Sequence, residues 1–335
     1  DDSPPALFLT RQCRYCQFER HCRKQAVSDD NLTLLERLNE KDVIRYNQKG
    51  IFTLTQLSYT FRPRKRSKRV KTQHPPFNHA LQALALREQQ VYVLTPTPIP
   101  DAPARVYVDM EGNPRGTSIY LIGLHVVTDE TQQSCSFWAD TKHDEPRIFN
   151  DFFETLNGLS SPRIYHYGSY ESRVFRRMLA SASAESITSM LTHGATNVLT
   201  HVHSHVYFPA HSNSLKAVAQ FLGYQWSVHD ASGVKSIVWR AEWERSRRSV
   251  LKDRLIRYNM DDVLALKLLT EFLHTALRVD ATELAAQDVR VKLVDEIVPP
   301  REDKRLWGNM KPAVESFEKV ISCAYFDHQR SKVYV

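Results

Sequence analysis

Asp109 and Glu111 close the apolar run Val106-Tyr107-Val108 as Asp-Met-Glu. In a strand, residues two apart share a face, so both carboxylates point at one spot. Charges so placed repel one another unless a cation lies between them. Far along the chain, Tyr258 and Asp262 stand four apart in a strongly helical stretch, one turn from each other. Leu251 and Leu255 on the adjoining apolar stripe turn that face toward the core, where a carboxylate requires a partner. A third piece, Tyr165-His166-Tyr167-Gly168-Ser169-Tyr170-Glu171, reads as a short strand, a turn and the opening of a helix that carries Glu171. Each piece alone has a plain structural reading: solvated loop acids, a core tyrosine beside a capping aspartate, an acid favoured by a helix N-terminus. Together they could gather carboxylates around divalent cations, which activate water and stabilise developing negative charge. Carboxylate ligands and retained waters suit Mg²⁺ or Mn²⁺.

The elements that must position these groups follow from periodicity. Residues 106–108, 119–127 and 136–138 read as strands and 146–156 as a helix. A short strand over 163–167 and helices over 170–179, 215–222 and 250–273 complete the pattern. Three early strands followed by helices alternating with shorter strands predict an α/β domain over 100–280, a mixed sheet flanked by helices. Before it, 1–28 forms a cysteine- and arginine-rich segment, 29–60 holds two or three short helices, and 61–99 reads as a basic linker ending its charged part in Pro75-Pro76. Residues 281–335 read as a connector. The first residue is Asp rather than Met and the chain stops at Val335, so a piece of a longer protein is expected.

The formal charge of +7 is local in origin. Arg62, Arg64, Lys65, Arg66, Lys68, Arg69 and Lys71 crowd into residues 62–71, and without them 38 basic residues balance 38 acidic ones. Such a run is either a solvated linker or a phosphate-contacting strip. Just before it, Leu38–Leu57 with Lys49-Gly50-Ile51 at its centre has the pattern of a helix-hairpin-helix. Its glycine turn, with Lys49, could offer backbone N–H groups to a phosphate, or the pair of helices could simply pack. No stretch is long and apolar enough to span a bilayer and no signal peptide opens the chain. Five cysteines, an odd count, argue against a disulfide framework and for a reducing, cytoplasmic setting. Cys135 and Cys323 read as plain core thiols.

The three carboxylate-bearing pieces resemble, in order and separation, the motifs of DEDD exonucleases of the RNase H-like superfamily, tyrosine subtype. Asp109 and Glu111 match the first motif, His166 to Glu171 the second, and Tyr258 with Asp262 the third. Ser214-Leu215-Lys216 running to Leu222-Gly223 is similar to the helix such nucleases place between the second and third. The likeness extends over roughly residues 104–275 and is greatest to the YprB-like RNase H domains attached to RecB-like nucleases. It implies a 3′–5′ exonuclease acting on DNA or RNA. Asp109 would bridge two Mg²⁺ or Mn²⁺ ions, Glu111 and Asp262 would hold one, Glu171 the other through water, and Tyr258 would orient the attacking water. Two positions depart from the motif: Glu171 stands where the family has Asp, and His166, a candidate phosphate contact, where it has Asn. A catalytically inactive nucleic-acid-binding module of a transposon- or repair-associated protein is the competing expectation. Cys13-x2-Cys16-x5-Cys22 resembles the cysteine signature of iron–sulfur RecB-like nucleases, implying a [4Fe–4S] cluster completed by an upstream cysteine. Zinc, with His21 or another residue as fourth ligand, remains open, as does no metal at all.

Overall fold

The computed structural model of the chain describes residues 7–63, 77–181, 185–228, 232–277 and 291–297. Its first part is helical: α1 (Glu19–Ser28), α2 (Glu40–Asn47), α3 (Leu54–Tyr59) and α4 (His79–Glu88), then the short strand β1 (Val91–Val93). Next come β2 (Arg105–Gly112), β3 (Ile119–Val127), β4 (Gln132–Trp138), α5 (Glu145–Asn157) and β5 (Arg163–His166). They are followed by α6 (Ser169–Ser181), α7 (Glu185–His193), β6 (Ala195–Asn197), α8 (Val198–His205) and β7 (Val206–Tyr207). The chain continues through α9 (Leu215–Phe221), α10 (Gly233–Ser246), the long α11 (Ser249–Ala276) and β8 (Val291–Leu293).

Two units divide these elements. The larger comprises Pro96–His205 and Asn213–Asp288 and holds a five-stranded sheet in the order β4-β3-β2-β5-β6. β3 runs antiparallel to β2 and β4, whereas β5 lies parallel to β2 and β6. This is the mixed α/β architecture the sequence predicts. Alternation along β2 assigns its faces: Val106, Val108 and Met110 point into the main apolar core, leaving Tyr107, Asp109 and Glu111 on the other side. α5 supplies that core with Ile148, Phe149, Phe152 and Leu156, a helical stripe behind a proline in the first turn. Each such side chain contributes ~1.5–3 kcal/mol of burial. β2 continues to Gly112 because its ladder with β3 does, with a register shift only between Glu111 and Gly112. Asp109 and Glu111 therefore lie within the strand, not past its end. α11 packs on the polar-bearing face of β2 and β3.

The smaller unit comprises Asp1–Thr95, Val206–Ser212 and Val289–Val335. Its helical part closes around Ala26, Leu32, Leu35, Leu54 and Leu57. α2 and α3 follow one another, capped by Asn39 and Thr53, with Gly50 at φ +77° between them. Residues 61–99 are not simply a linker. Leu81, Leu84 and Ala85 of α4 pack with Tyr92 and Tyr207, and β1 pairs antiparallel with β7 and parallel with β8. The buried Gln82 amide donates to the carbonyls of Phe208 and Ala210. Of the basic run, Arg62 donates to the carbonyls of Tyr59 and Phe61 at the end of α3. Arg64, Lys65, Arg66, Lys68, Arg69 and Lys71 lie outside the described residues, as does Cys323. Among the described residues no helix is long and apolar enough to cross a membrane.

Candidate functional site

β2 and α11 deliver the acidic groups. Asp109 and Glu111 project from neighbouring positions on one face of β2, opposite Gly123 and Leu121 of β3. Tyr258 and Asp262 sit a turn apart on α11, held by the burial of Leu251, Leu255, Val263 and Leu266. Carboxylate oxygens of Asp109, Glu111 and Asp262 lie within 4.8 Å of one another. All three side chains are partly accessible, as a site that admits a ligand requires.

Their electrostatics follow from this crowding. Asp109 is raised well above the usual carboxylate range, chiefly by burial and then by the charges of Asp262, Glu171 and Glu111. Glu111 is raised by burial and Asp262, partly offset by hydroxyl donors on Ser236 and Tyr120. Those donors stand 3.2 and 3.5 Å from Glu111 Oε2. Burial also raises Asp262, against donors on Trp226 and Tyr258 and the charge of Lys216. Trp226 Nε1 donates to Asp262 Oδ1 at 2.7 Å. The Tyr258 hydroxyl is pushed far up by burial and by the same acids, so it acts here as a donor and not as a base.

Glu171 stands outside the trio, although its charge is felt at Asp109. It is 4% exposed, with one carboxylate oxygen 3.7 Å from His166 Nδ1 and without a hydrogen-bond partner. His166, expected to touch nucleic acid, is itself 3% exposed and packs edge-on against Phe175. Its place at the buried end of β5 turns it toward Glu171 rather than toward solvent.

Several groups at the site escaped the sequence reading. Asn259 donates from Nδ2 to Asp109 Oδ2 at 2.6 Å and to the Asp109 carbonyl at 3.2 Å, fixing the carboxylate and tying α11 to β2. It reaches so close because Gly123 has no side chain: a Cβ there would lie 2.0 Å from Asn259 Oδ1. A lone glycine inside the apolar run Ile119–Val127 was the available signal of such an approach. Asp261, adjacent to the site acid, has a different task. It accepts from Ser227 N and Oγ at 2.9 and 2.7 Å and from the Tyr224 hydroxyl at 3.3 Å, pinning the loop that carries Trp226. Nothing in the sequence marked Ser236, whose helix α10 was not foreseen.

Residues 106–274, half of the chain, match the RNase_H superfamily, family RNase_H_2. The chain belongs to the RNase H superfamily. No curated protein and no solved structure matches it. In this RNase H domain the acidic trio fits divalent metal on its own chemistry. Three carboxylates share one small space, a fourth lies behind them with an orphaned oxygen, and hard oxygen donors favour Mg²⁺ or Mn²⁺.

In the other unit the thiols are arranged differently. Cys13 and Cys22 are half-buried and Cys16 is exposed, and all are free. Cys13 Sγ accepts from Thr10 N at 3.3 Å, which lowers its pKa. The trio of carboxylates is the one group of three or more metal-ligating side chains so gathered among the described residues. At least one pair of the three sulfurs thus stands farther apart than the ~3.8 Å that a tetrahedral zinc with ~2.3 Å bonds would impose. Lys49 is exposed beside Gly50.

Proposed function

We propose that the RNase H domain is a metal-dependent nuclease that hydrolyses phosphodiester bonds in DNA or RNA, as a 3′–5′ exonuclease of the tyrosine subtype. The observation that carries this reading is the convergence of Asp109, Glu111 and Asp262 from two elements separated by some 150 residues, with Tyr258 one turn from the last of them on α11. Asp109, Glu111 and Asp262 would hold Mg²⁺ or Mn²⁺, with Glu171 serving a second ion through water. Bound divalent ions supply charge to lower the pKa of the attacking water and to stabilise the leaving oxygen. The protein's own groups do the rest. Asn259 and Ser236 keep Asp109 and Glu111 in register. Trp226 fixes Asp262, and the Tyr258 hydroxyl, a donor at any physiological pH, orients water without deprotonating it.

The burial of Glu171 against His166 favours a second reading, a nucleic-acid-binding module of weak or no activity. One assay separates the two. Full-length protein is incubated with end-labelled single-stranded and duplex DNA and RNA in Mn²⁺, Mg²⁺ or chelator. Metal-dependent shortening from the 3′ end, lost in Asp109→Asn while oligonucleotide binding persists, is the expected result. Absence of cleavage on every substrate sinks the nuclease reading and leaves the binding module. Tyr258→Phe, which removes only a hydroxyl, is expected to slow turnover by about a hundredfold, less than Asp109→Asn.

For the N-terminal segment, Cys13, Cys16 and Cys22 are read as ligands of a [4Fe–4S] cluster completed by an upstream cysteine, the tail of a RecB-like nuclease. The spacing of the motif and the free thiols support it. Protein purified without oxygen should carry iron and sulfide, and Cys16→Ser should bleach its visible absorbance. Stoichiometric zinc without iron would reject the cluster. The basic residues of 62–71 and Lys49 are read as phosphate contacts on the same nucleic acid.

A further inference from the structure

The charge balance of the sequence conceals a second concentration of cations. Between residues 235 and 257 stand eight basic and three acidic side chains, on the hairpin of α10 and α11. Two of the cations are neutralised locally, Arg248 by Glu242 and Arg240 by Glu244. The hairpin is part of the candidate site. Ser236 of α10 donates to Glu111, and α11 carries Tyr258 and Asp262. Arg240, buried among Tyr120, Trp138 and Trp243 and donating to the carbonyls of Ala139 and Asp140, locks α10 in that place.

Arg254, Tyr258 and Asp262 are spaced by four, so they lie on one stripe of α11. Arg254 is two turns, about 12 Å, from Asp262. Its guanidinium rests 5.3 Å from the centroid of the Trp239 ring. Trp239 is partly buried, keeps some exposure to solvent, and meets Tyr258 edge-on at 6.5 Å. On the open side of α10, Val234, Ile237 and Val238 are 47%, 37% and 55% exposed. A cation on an indole, next to apolar surface and leading along one helix to clustered carboxylates, matches the chemistry of an unpaired nucleic-acid strand. Phosphates seek the guanidinium, and base faces, free only when unstacked from a partner strand, seek the ring.

We propose that Arg254 and Trp239 form a strand-binding subsite of this chain, Arg254 taking a phosphate and Trp239 a base of a single-stranded end whose scissile phosphate lies at the acidic trio. The proposal deepens the nuclease reading and rests on it for the direction of the strand. Binding is measured by anisotropy of a short labelled single-stranded oligonucleotide, with full-length Asp109→Asn protein as parent so that the probe stays intact. Adding Arg254→Gln should weaken binding about five- to tenfold and reduce the slope of log affinity against log salt by ~0.7, one phosphate contact. Adding Trp239→Leu should weaken it about tenfold with the slope unchanged, since stacking releases no counterions. Arg254→Lys, which keeps charge and fold, should keep the slope, and a duplex of equal length should bind more weakly than the single strand. Unchanged affinity and slope in Arg254→Gln, with a native melting curve, would overturn the proposal. So would equal binding of duplex, or binding of an acidic peptide but not of oligonucleotide, which would give the hairpin to a protein partner. Cleavage by wild-type protein is scored separately: its absence defeats the nuclease reading but not a subsite whose binding signature holds.

Discussion

Among the described residues, one neutral donor, Asn259, holds Asp109 amid three other acids. Removing that amide in Asn259→Ala leaves a crowded, only partly accessible carboxylate without its donor, which costs about 1.5–3 kcal/mol. A lower urea midpoint with an unchanged slope checks this, and an unchanged midpoint would mean that α11 is held to β2 by packing alone. The raised pKa values of Asp109, Glu111 and Asp262 have a consequence for pH. Each group binds its proton more tightly in the folded chain than in the unfolded one. Between the unfolded carboxylate range, ~4, and the raised folded values, the native state holds more protons, so metal-free stability falls as pH rises. Metal needs the ionised forms and stabilises only the folded site. Mn²⁺ should therefore raise Tm more at pH 7.5 than at pH 5. Equal shifts at the two pH values would show that the metal binds elsewhere.

At the scale of elements, the sequence was legible where one residue pattern had one physical meaning. The apolar strand ending in Asp109 and Glu111, the stripe of α11 and the proline-led α5 all declared themselves, because burial on one face demands periodicity. α10 did not, since its buried face is built from Ser236, Arg240 and Trp243, residues that read as solvent-facing or indifferent. Its arginine is inside only because three aromatic rings and two carbonyls enclose it, a tertiary fact without a local signature. α4 and β1 were hidden differently: they follow a charged run, and β1 is three residues long and completed by strands from elsewhere in the chain. The contact between α11 and β3 gives an element-scale prediction. Gly123→Ala drives a Cβ into the Asn259 amide and should cost about 1–3 kcal/mol as helix and sheet move apart. Mn²⁺ affinity, read by titration, should drop with it. A variant with wild-type stability and affinity would show that the interface yields without loss.

Across the whole molecule the larger unit is interrupted, and the smaller one completed, by the same few residues. β1 lies between β7 and β8, and Gln82 spends its amide on the carbonyls of Phe208 and Ala210. A fragment ending at residue 95 would lose both strands flanking β1 and leave the Gln82 amide with no acceptor. It is expected to expose amides and exchange them quickly, and a cooperative melt of that fragment would contradict this. The chain is thus nested rather than strung: the larger unit is two inserts, and each begins and ends in the smaller one. Boundaries drawn by cutting once along the sequence will always orphan a strand. Separating the units calls for two excisions, Pro96–His205 and Asn213–Asp288, each closed with a short linker so that the strands flanking β1 stay on the smaller unit, in the way insertions are undone.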